Sequence, residues 1–364
     1  MKLSKLVLIA CLCLISVQIF NLLVQLPIYS GGASKTMKLA DTFKNAEARA
    51  ENGRQTDKLI DYSACKYIQP GNVMPHYTCP RSEVKRFILL NNQISSSKKD
   101  INIEANIQTF STIRNSRICM AGDSMVNQLF HSMECLLSHF NTSVERHLHN
   151  TFFSEKYKMR MPGSVELSLP NTGSLLMFHG IKGPCKPENM GKIWEKCPPS
   201  STDVLIFNIG YLHCTNILES FGYSKGINSK LNVRATAYMT EEIISNISKI
   251  FKNRKILLYG QPAPELVNYP NAEKMKKKLA KDKFFRHQSD RVILDLVGIE
   301  KSIAKKYNMH YIDSYEVTKF FLNEKERITR GKIFSLGRTD RVHFCLPGPV
   351  DFATNTVLEV LIKN

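Results

Sequence analysis

The chain has 364 residues, 43% of them hydrophobic and 23% charged, the composition of a folded globular protein rather than of a disordered, collagenous or coiled-coil chain. Its formal net charge of +18 predicts anionic partners or surfaces, without choosing among nucleic acid, acidic glycan and lipid headgroups.

Lys2 and Lys5 precede an uncharged stretch over residues 6–34. Its apolar part, residues 6–26, matches the ~20 residues needed to cross a bilayer as a helix. With residues 1–5 as a cytoplasmic tail by the positive-inside rule, residues 6–26 read as a single-pass signal anchor, and everything after them lies outside the cytosol. The alternative is a cleaved signal peptide, cut at small residues such as Gly31, Gly32 and Ala33, which would give a secreted protein. Either route leads to the secretory pathway. Cysteine usage agrees with that compartment. Cys11 and Cys13 lie in the apolar run, and the others are Cys65, Cys79, Cys119, Cys135, Cys185, Cys197, Cys214 and Cys345. An even number outside the run, with no CxxC pair, predicts disulfides and no metal site. Asn141 and Asn246 head glycosylation sequons.

Residues 27–60 are polar and lack a sustained apolar period, as expected of a stem. The lumenal domain is predicted over residues 61–364. It opens with a loop-rich, cysteine-containing cap segment, residues 61–116, marked by Pro70, Gly71, Pro75 and Pro80. After Arg117 short apolar runs alternate with longer amphipathic stretches, the pattern of an α/β fold with parallel strands and crossover helices. Strands are predicted over 118–121, 174–178, 204–208, 256–259 and 310–312. Leu129, Met133, Leu136, Leu137 and Phe140 mark one face of a helix that starts just after Ser124. Further helices are predicted over 235–251, 292–306 and 351–362, and no internal repeat is present. The lysine run over 274–286 reads as a solvated helix face or as a surface for an acidic polymer. Neither aromatic interleaving nor a zinc finger accompanies it, so nucleic acid is not the expected partner.

The strongest chemical signal is Gly122-Asp123-Ser124, between a predicted strand and a predicted helix. A serine there sits where α/β folds bind their ligands, and the helix N-terminus behind it offers N–H groups to an oxyanion. The competing reading is that Asp123 or Ser124 only caps the helix. A serine nucleophile needs a base. Asp340-Arg341-Val342-His343 supplies one, with Asp340 three residues back to hold the imidazole tautomer. Asn208 and Gly210, just beyond the strand over 204–208, are candidates for the oxyanion hole or for shaping a turn. His131, His179 and His213 read as structural or surface residues.

These blocks carry a resemblance. Gly122-Asp123-Ser124 running into Ser132-Met133-Glu134-Cys135-Leu136-Leu137, the strand from Asp203 to Gly210, and Asp340 to His343 continuing into Phe344-Cys345-Leu346-Pro347-Gly348 resemble the PC-esterase branch of the GDSL/SGNH hydrolase superfamily. The likeness runs to its trichome birefringence-like polysaccharide O-acetyltransferases. It implies an SGNH-like three-layer α/β/α sandwich around a central parallel sheet, with Ser124 as nucleophile, His343 as base and Asp340 orienting it. Gly122, Asp123, Asn208 and Gly210 would position the oxyanion. It also implies a type II Golgi membrane protein that transfers acetyl groups to a glycan acceptor, acidic glycans included. No bound cofactor is implied, but an acetyl donor is, acetyl-CoA-derived among the candidates. The same resemblance admits a carbohydrate acetyl esterase and a catalytically silent glycan-binding protein. Asn127 and Phe130 stand where the plant pattern has Arg and Trp, and Trp194 is the single tryptophan, so a plant cell-wall acceptor is not implied.

Overall fold

A computed structural model of the chain describes residues 103–139, 143–154, 159–211, 230–263, 290–320, 332–333, 338–339, 344, 346 and 349–363. The tail, anchor and stem, the cap segment up to residue 102, the lysine run over 274–286, and Cys65, Cys79, Asn141, His213, Cys214, Asp340, His343 and Cys345 lie outside the described residues. No helix among the described residues is long and apolar enough to cross a membrane.

The chain enters through α1 (Ile103–Phe110) and β1 (Arg117–Gly122), then turns into α2 (Ser124–His139). Two long strands follow, β2 (Glu145–Ser154) and β3 (Met159–Leu169), and lead to β4 (Ser174–Gly180). After α3 (Pro187–Lys196) come β5 (Val204–Phe207), α4 (Lys230–Ile250), β6 (Lys255–Tyr259), α5 (Asp290–Lys306) and β7 (His310–Ile312). The short α6 (Ser314–Phe320) and the apolar α7 (Pro349–Ile362) complete the main elements.

The sheet has seven strands in the order β2-β3-β4-β1-β5-β6-β7. β4, β1, β5, β6 and β7 run parallel and coincide with the five strands expected from the sequence. The expectation of a purely parallel sheet is corrected, because β2 and β3 extend the β4 edge as an antiparallel meander. No unbroken apolar run marks them. β2 carries Arg146, His147, His149 and Asn150, with residues 147–150 exposed, so it lacks the apolar stretch that identified the interior strands.

β1 sits at the centre, with Met120 beside Phe178 on one side and Ile206 on the other. Successive side chains of a strand point to opposite faces. Yet Ile118 to Gly122 and Val204 to Phe207 are buried without a break. Both faces of the sheet centre are therefore covered, as parallel strands require. α2 packs on β1 and β4, and α7 packs on α2, α1 and β7. α4 and α5 pack together, and α5 also meets β7.

A disulfide joins Cys119 in β1 to Cys197 at the end of α3, across 78 residues. Cys135 and Cys185 are disulfide-bonded as well. His179 lies beside the first pair, its possible ligand atom and the two sulfurs mutually within 4.8 Å. Those two sulfurs are already bonded to each other. Closing a loop of that length restricts the unfolded chain, so replacing both Cys119 and Cys197 by alanine should lower stability by about 2–5 kcal/mol. Denaturant unfolding under non-reducing conditions measures this, and an unchanged midpoint would show the bond to be idle.

Candidate active site

The Gly122-Asp123-Ser124 turn lies where β1 ends and α2 begins. Asp123, which is buried, precedes the first helical residue, and its Oδ1 accepts the Met125 N–H at 2.9 Å. Asp123 is thus the cap, satisfying one of the first-turn N–H groups that have no carbonyl within the helix. Ser124 is left as the first residue of α2, half-buried. Its hydroxyl has no hydrogen-bond partner among the described residues. The capping alternative is therefore resolved in favour of Asp123.

Asn208 grips the same turn from the end of β5. Its Nδ2 donates to Asp123 Oδ1 at 2.8 Å, and its Oδ1 accepts the Asp123 N–H at 3.2 Å. The Asn208 side chain thus holds Asp123 in place. The grip requires a close approach. A Cβ on Gly122 would stand 2.4 Å from Asn208 Oδ1 and 2.5 Å from Val126 Cγ2, so only glycine leaves room. Gly210 has φ +69°, and a Cβ there would fall 2.7 Å from Pro184 Cδ and 3.3 Å from Asp123 Oδ2. Gly122, Asp123, Ser124, Asn208 and Gly210 therefore lie around one turn. Asp340 and His343 lie outside the described residues.

Other polar groups are paired near the turn and further out, and of these the sequence singled out only His179, as a structural or surface residue. Tyr259, at the end of β6, accepts a hydrogen bond from Ser314 at 3.3 Å. Burial pushes its hydroxyl up to about 12, with the nearby Asp123 carboxylate adding to the effect. Tyr211 and Thr240 share a hydrogen bond of 2.5 Å. Further out, Tyr311 donates to Glu300 at 3.1 Å. Glu300 is wholly buried, and desolvation raises its carboxyl to about 8. His179 donates to or accepts from Ser164 at 2.9 Å. Burial, then the charges of Lys196 and His149, lower it to about 4, so it is neutral at physiological pH.

α2 behaves unlike the amphipathic helix expected of it. Residues from Met125 to Leu137 are all buried, polar ones included, and several of the polar side chains are bonded across the fold. His131 Nδ1 meets Glu134 Oε2 at 3.1 Å, and Glu134 Oε1 pairs with Arg146 of β2 at 3.0 Å. Gln128 bonds both backbone groups of Phe344, accepting its N–H at 3.3 Å and donating to its carbonyl. Ser132 donates to Asp351 at 2.5 Å and accepts from Thr354 at 2.7 Å. Asn246 sits half-buried within α4.

No protein-family model matches the chain, and no curated protein does. Several solved structures show some likeness, among them the following three. A lipase/acylhydrolase from Enterococcus faecalis is 12% identical with TM-score 0.36, over 67% of this chain and 95% of its own. Axe2, an acetylxylan esterase from Geobacillus stearothermophilus, is 13% identical with TM-score 0.38, over 70% and 97%. A GDSL-like lipase from Parabacteroides merdae is 13% identical with TM-score 0.40, over 69% and 98%. Likeness at this level says nothing of activity.

Two expectations concern the site and its surroundings. Asn208→Ala strips a buried Asp123 of two hydrogen bonds and should cost about 1–3 kcal/mol, read from urea unfolding; wild-type stability would mean that water takes over the amide's role. Glu300 ionises near its ordinary 4.5 when unfolded and near about 8 when folded. The folded state therefore binds the extra proton between these values. The resulting stabilisation is complete below pH 4.5 and lost as pH rises through about 8. Glu300→Gln should flatten the melting temperature across that window and exceed wild type at its alkaline end, as thermal melts in a pH series would show.

Proposed function

We propose that this chain is a serine-dependent O-acyltransferase of GDSL/SGNH type that moves acetyl groups onto glycan hydroxyls through an acyl-serine intermediate. One observation carries the reading: Asp123 takes the cap of α2, so the Ser124 hydroxyl stands uncommitted at a helix N-terminus beyond the carboxyl end of β1. Ser124 Oγ would attack the acetyl carbonyl while His343 Nε2 takes its proton and Asp340 holds the imidazole. The negative charge that develops on the carbonyl oxygen would be met by first-turn N–H groups and the positive end of the α2 dipole. Collapse expels the donor's leaving group, which receives the proton from His343, and leaves an acetyl ester on Ser124. A sugar hydroxyl, giving up its proton to His343, would then take the acetyl group and regenerate the serine.

The PC-esterase-like blocks favour transfer to a glycan over hydrolysis, since they are the ones that resemble polysaccharide O-acetyltransferases. Disulfides at Cys119, Cys135, Cys185 and Cys197 support an oxidising compartment. They fit a lumenal domain on a Golgi signal anchor formed by residues 6–26. The positive charge of the chain suits an acidic acceptor.

Intact-mass analysis after exposure to an activated acetyl ester tests this. Wild type should gain one acetyl group and Ser124→Ala none, with both melting alike because Asp123 and not Ser124 holds the helix end. Discharge by mixed glycans faster than by water would support transfer, and the reverse would support an esterase. Acetylation of the alanine variant at the wild-type position and rate would refute the assignment of Ser124.

A further inference from the structure

Among the described residues, soft metal-ligating side chains gather at one place away from the Ser124 turn. Cys119 and His179 stand on neighbouring strands, because β1 and β4 pair Cys119 with Met177 and Ala121 with His179. Alternate residues of a strand share a face, so the Cys119 sulfur and the His179 ring lie on the same side of the sheet. α3 packs on β1 and brings Cys197, the residue that follows its last turn, to that side. The two sulfurs and one ring nitrogen of His179 are mutually within 4.8 Å. Cys119 and Cys197 are buried, whereas His179 is half-buried, so the cluster meets solvent on the histidine side.

We propose that Cys119, Cys197 and His179 form a Zn²⁺ site that becomes available when their disulfide is reduced. One cluster then has two exclusive states. In the oxidised chain the sulfurs hold each other. A dithiol reductant closes its own two thiols into a disulfide and leaves a thiol on each cysteine. Zn²⁺ displaces both thiol protons to solvent and accepts a lone pair from each thiolate and one from the imidazole. Tetrahedral zinc, with Zn–S of about 2.3 Å and Zn–N of about 2.0–2.1 Å, needs these ligand atoms about 3.5–3.8 Å apart. Opening the bond lets the sulfurs separate to that spacing, and the nitrogen already stands close by. Charge and hydrogen bonding favour the site as well. Two thiolates cancel the double charge of the metal, so the filled site is neutral, as its burial and the nearby Lys196 require. Ser164 Oγ lies 2.9 Å from His179 Nδ1. With Nδ1–H donating to that hydroxyl, Nε2 keeps its lone pair for the metal, and ligating histidines are commonly oriented by such an outer partner. Three protein ligands leave a fourth position for water on the exposed side. The lack of a CxxC pair is no obstacle, since β1, β4 and the end of α3 supply one ligand each.

The test uses the full chain, reduced under native conditions with a phosphine, and Co²⁺ as a coloured stand-in for Zn²⁺. Reduced wild type should show thiolate-to-cobalt absorption with the visible bands of a tetrahedral site, and added Zn²⁺ should bleach it. A double variant, Cys119→Ser with Cys197→Ser, retains every other cysteine and should lack this absorption. His179→Ala keeps both sulfurs and the disulfide before reduction, so it stays informative if the double variant fails to fold. Loss of an outer partner costs about 10–100-fold in metal affinity; loss of a direct ligand should cost at least the upper end of that range, so His179→Ala should bind cobalt about 100-fold more weakly or worse. Zn²⁺ should also raise the melting temperature of reduced wild type, while leaving that of the oxidised protein and of the reduced alanine variant unchanged. Wild-type affinity in His179→Ala, cobalt absorption undiminished in the double variant, or absorption equal before and after reduction would each overturn the inference. So would reduced, folded wild type that takes up no cobalt.

Discussion

The Asp123 carboxylate is the joint on which the site depends. One of its oxygens accepts the Met125 N–H and the Asn208 amide, its backbone N–H returns to Asn208, and its carbonyl accepts the Asn127 N–H at 3.1 Å. A single residue thus ends β1, starts α2 and ties both to the end of β5. These bonds are buried, where a charge-assisted hydrogen bond is strong and an unmade one is costly. The glycines beside it follow from that joint. Gly122 leaves the space in which Asn208 comes close, and Gly210 turns the chain back against the other carboxylate oxygen.

The same pairing logic runs down α2. A helix buried along almost its whole length would be expected to be apolar all round, yet Gln128, His131, Ser132 and Glu134 are all in its interior. Gln128, Glu134 and Ser132 are matched by partners on different elements: the loop at Phe344, the strand β2 and the helix α7. Apolar contacts alone would allow α7 to slide along α2, whereas matched donors and acceptors define one register. The catalytic apparatus proposed for this chain needs that kind of registry more than it needs extra stability.

Much of this frame is legible in the sequence. The five parallel strands show themselves as short apolar runs, most clearly β1, β5 and β6, which are buried almost without a break and so have no room for polar side chains. β2 and β3 do not, since Arg146, His147 and His149 on an edge strand give no apolar run. Gly122-Asp123-Ser124 marks the site, but composition cannot decide whether the aspartate or the serine caps the helix; that depends on Asn208, 85 residues away. Gln128 is harder still. On a helical wheel it looks like a solvent-facing residue, and the backbone it holds lies 216 residues further on. The cysteines predict that disulfides form, while the pairing of Cys119 with Cys197 follows from β1 and α3 meeting in three dimensions.

The long span between α2 and Phe344 also fixes an order of events during synthesis. β1 and α2 leave the ribosome early, and the Asp123 turn can close as soon as β5 has followed. The partner of Gln128 emerges only after a further 216 residues, so until then this glutamine lacks the backbone unit it will hold. Ser132 waits likewise for Asp351 and Thr354 of α7. On this geometry the polar face of α2 is completed only with the closing segment of the fold, and a partly made chain carries Gln128 and Ser132 without the groups that will match them.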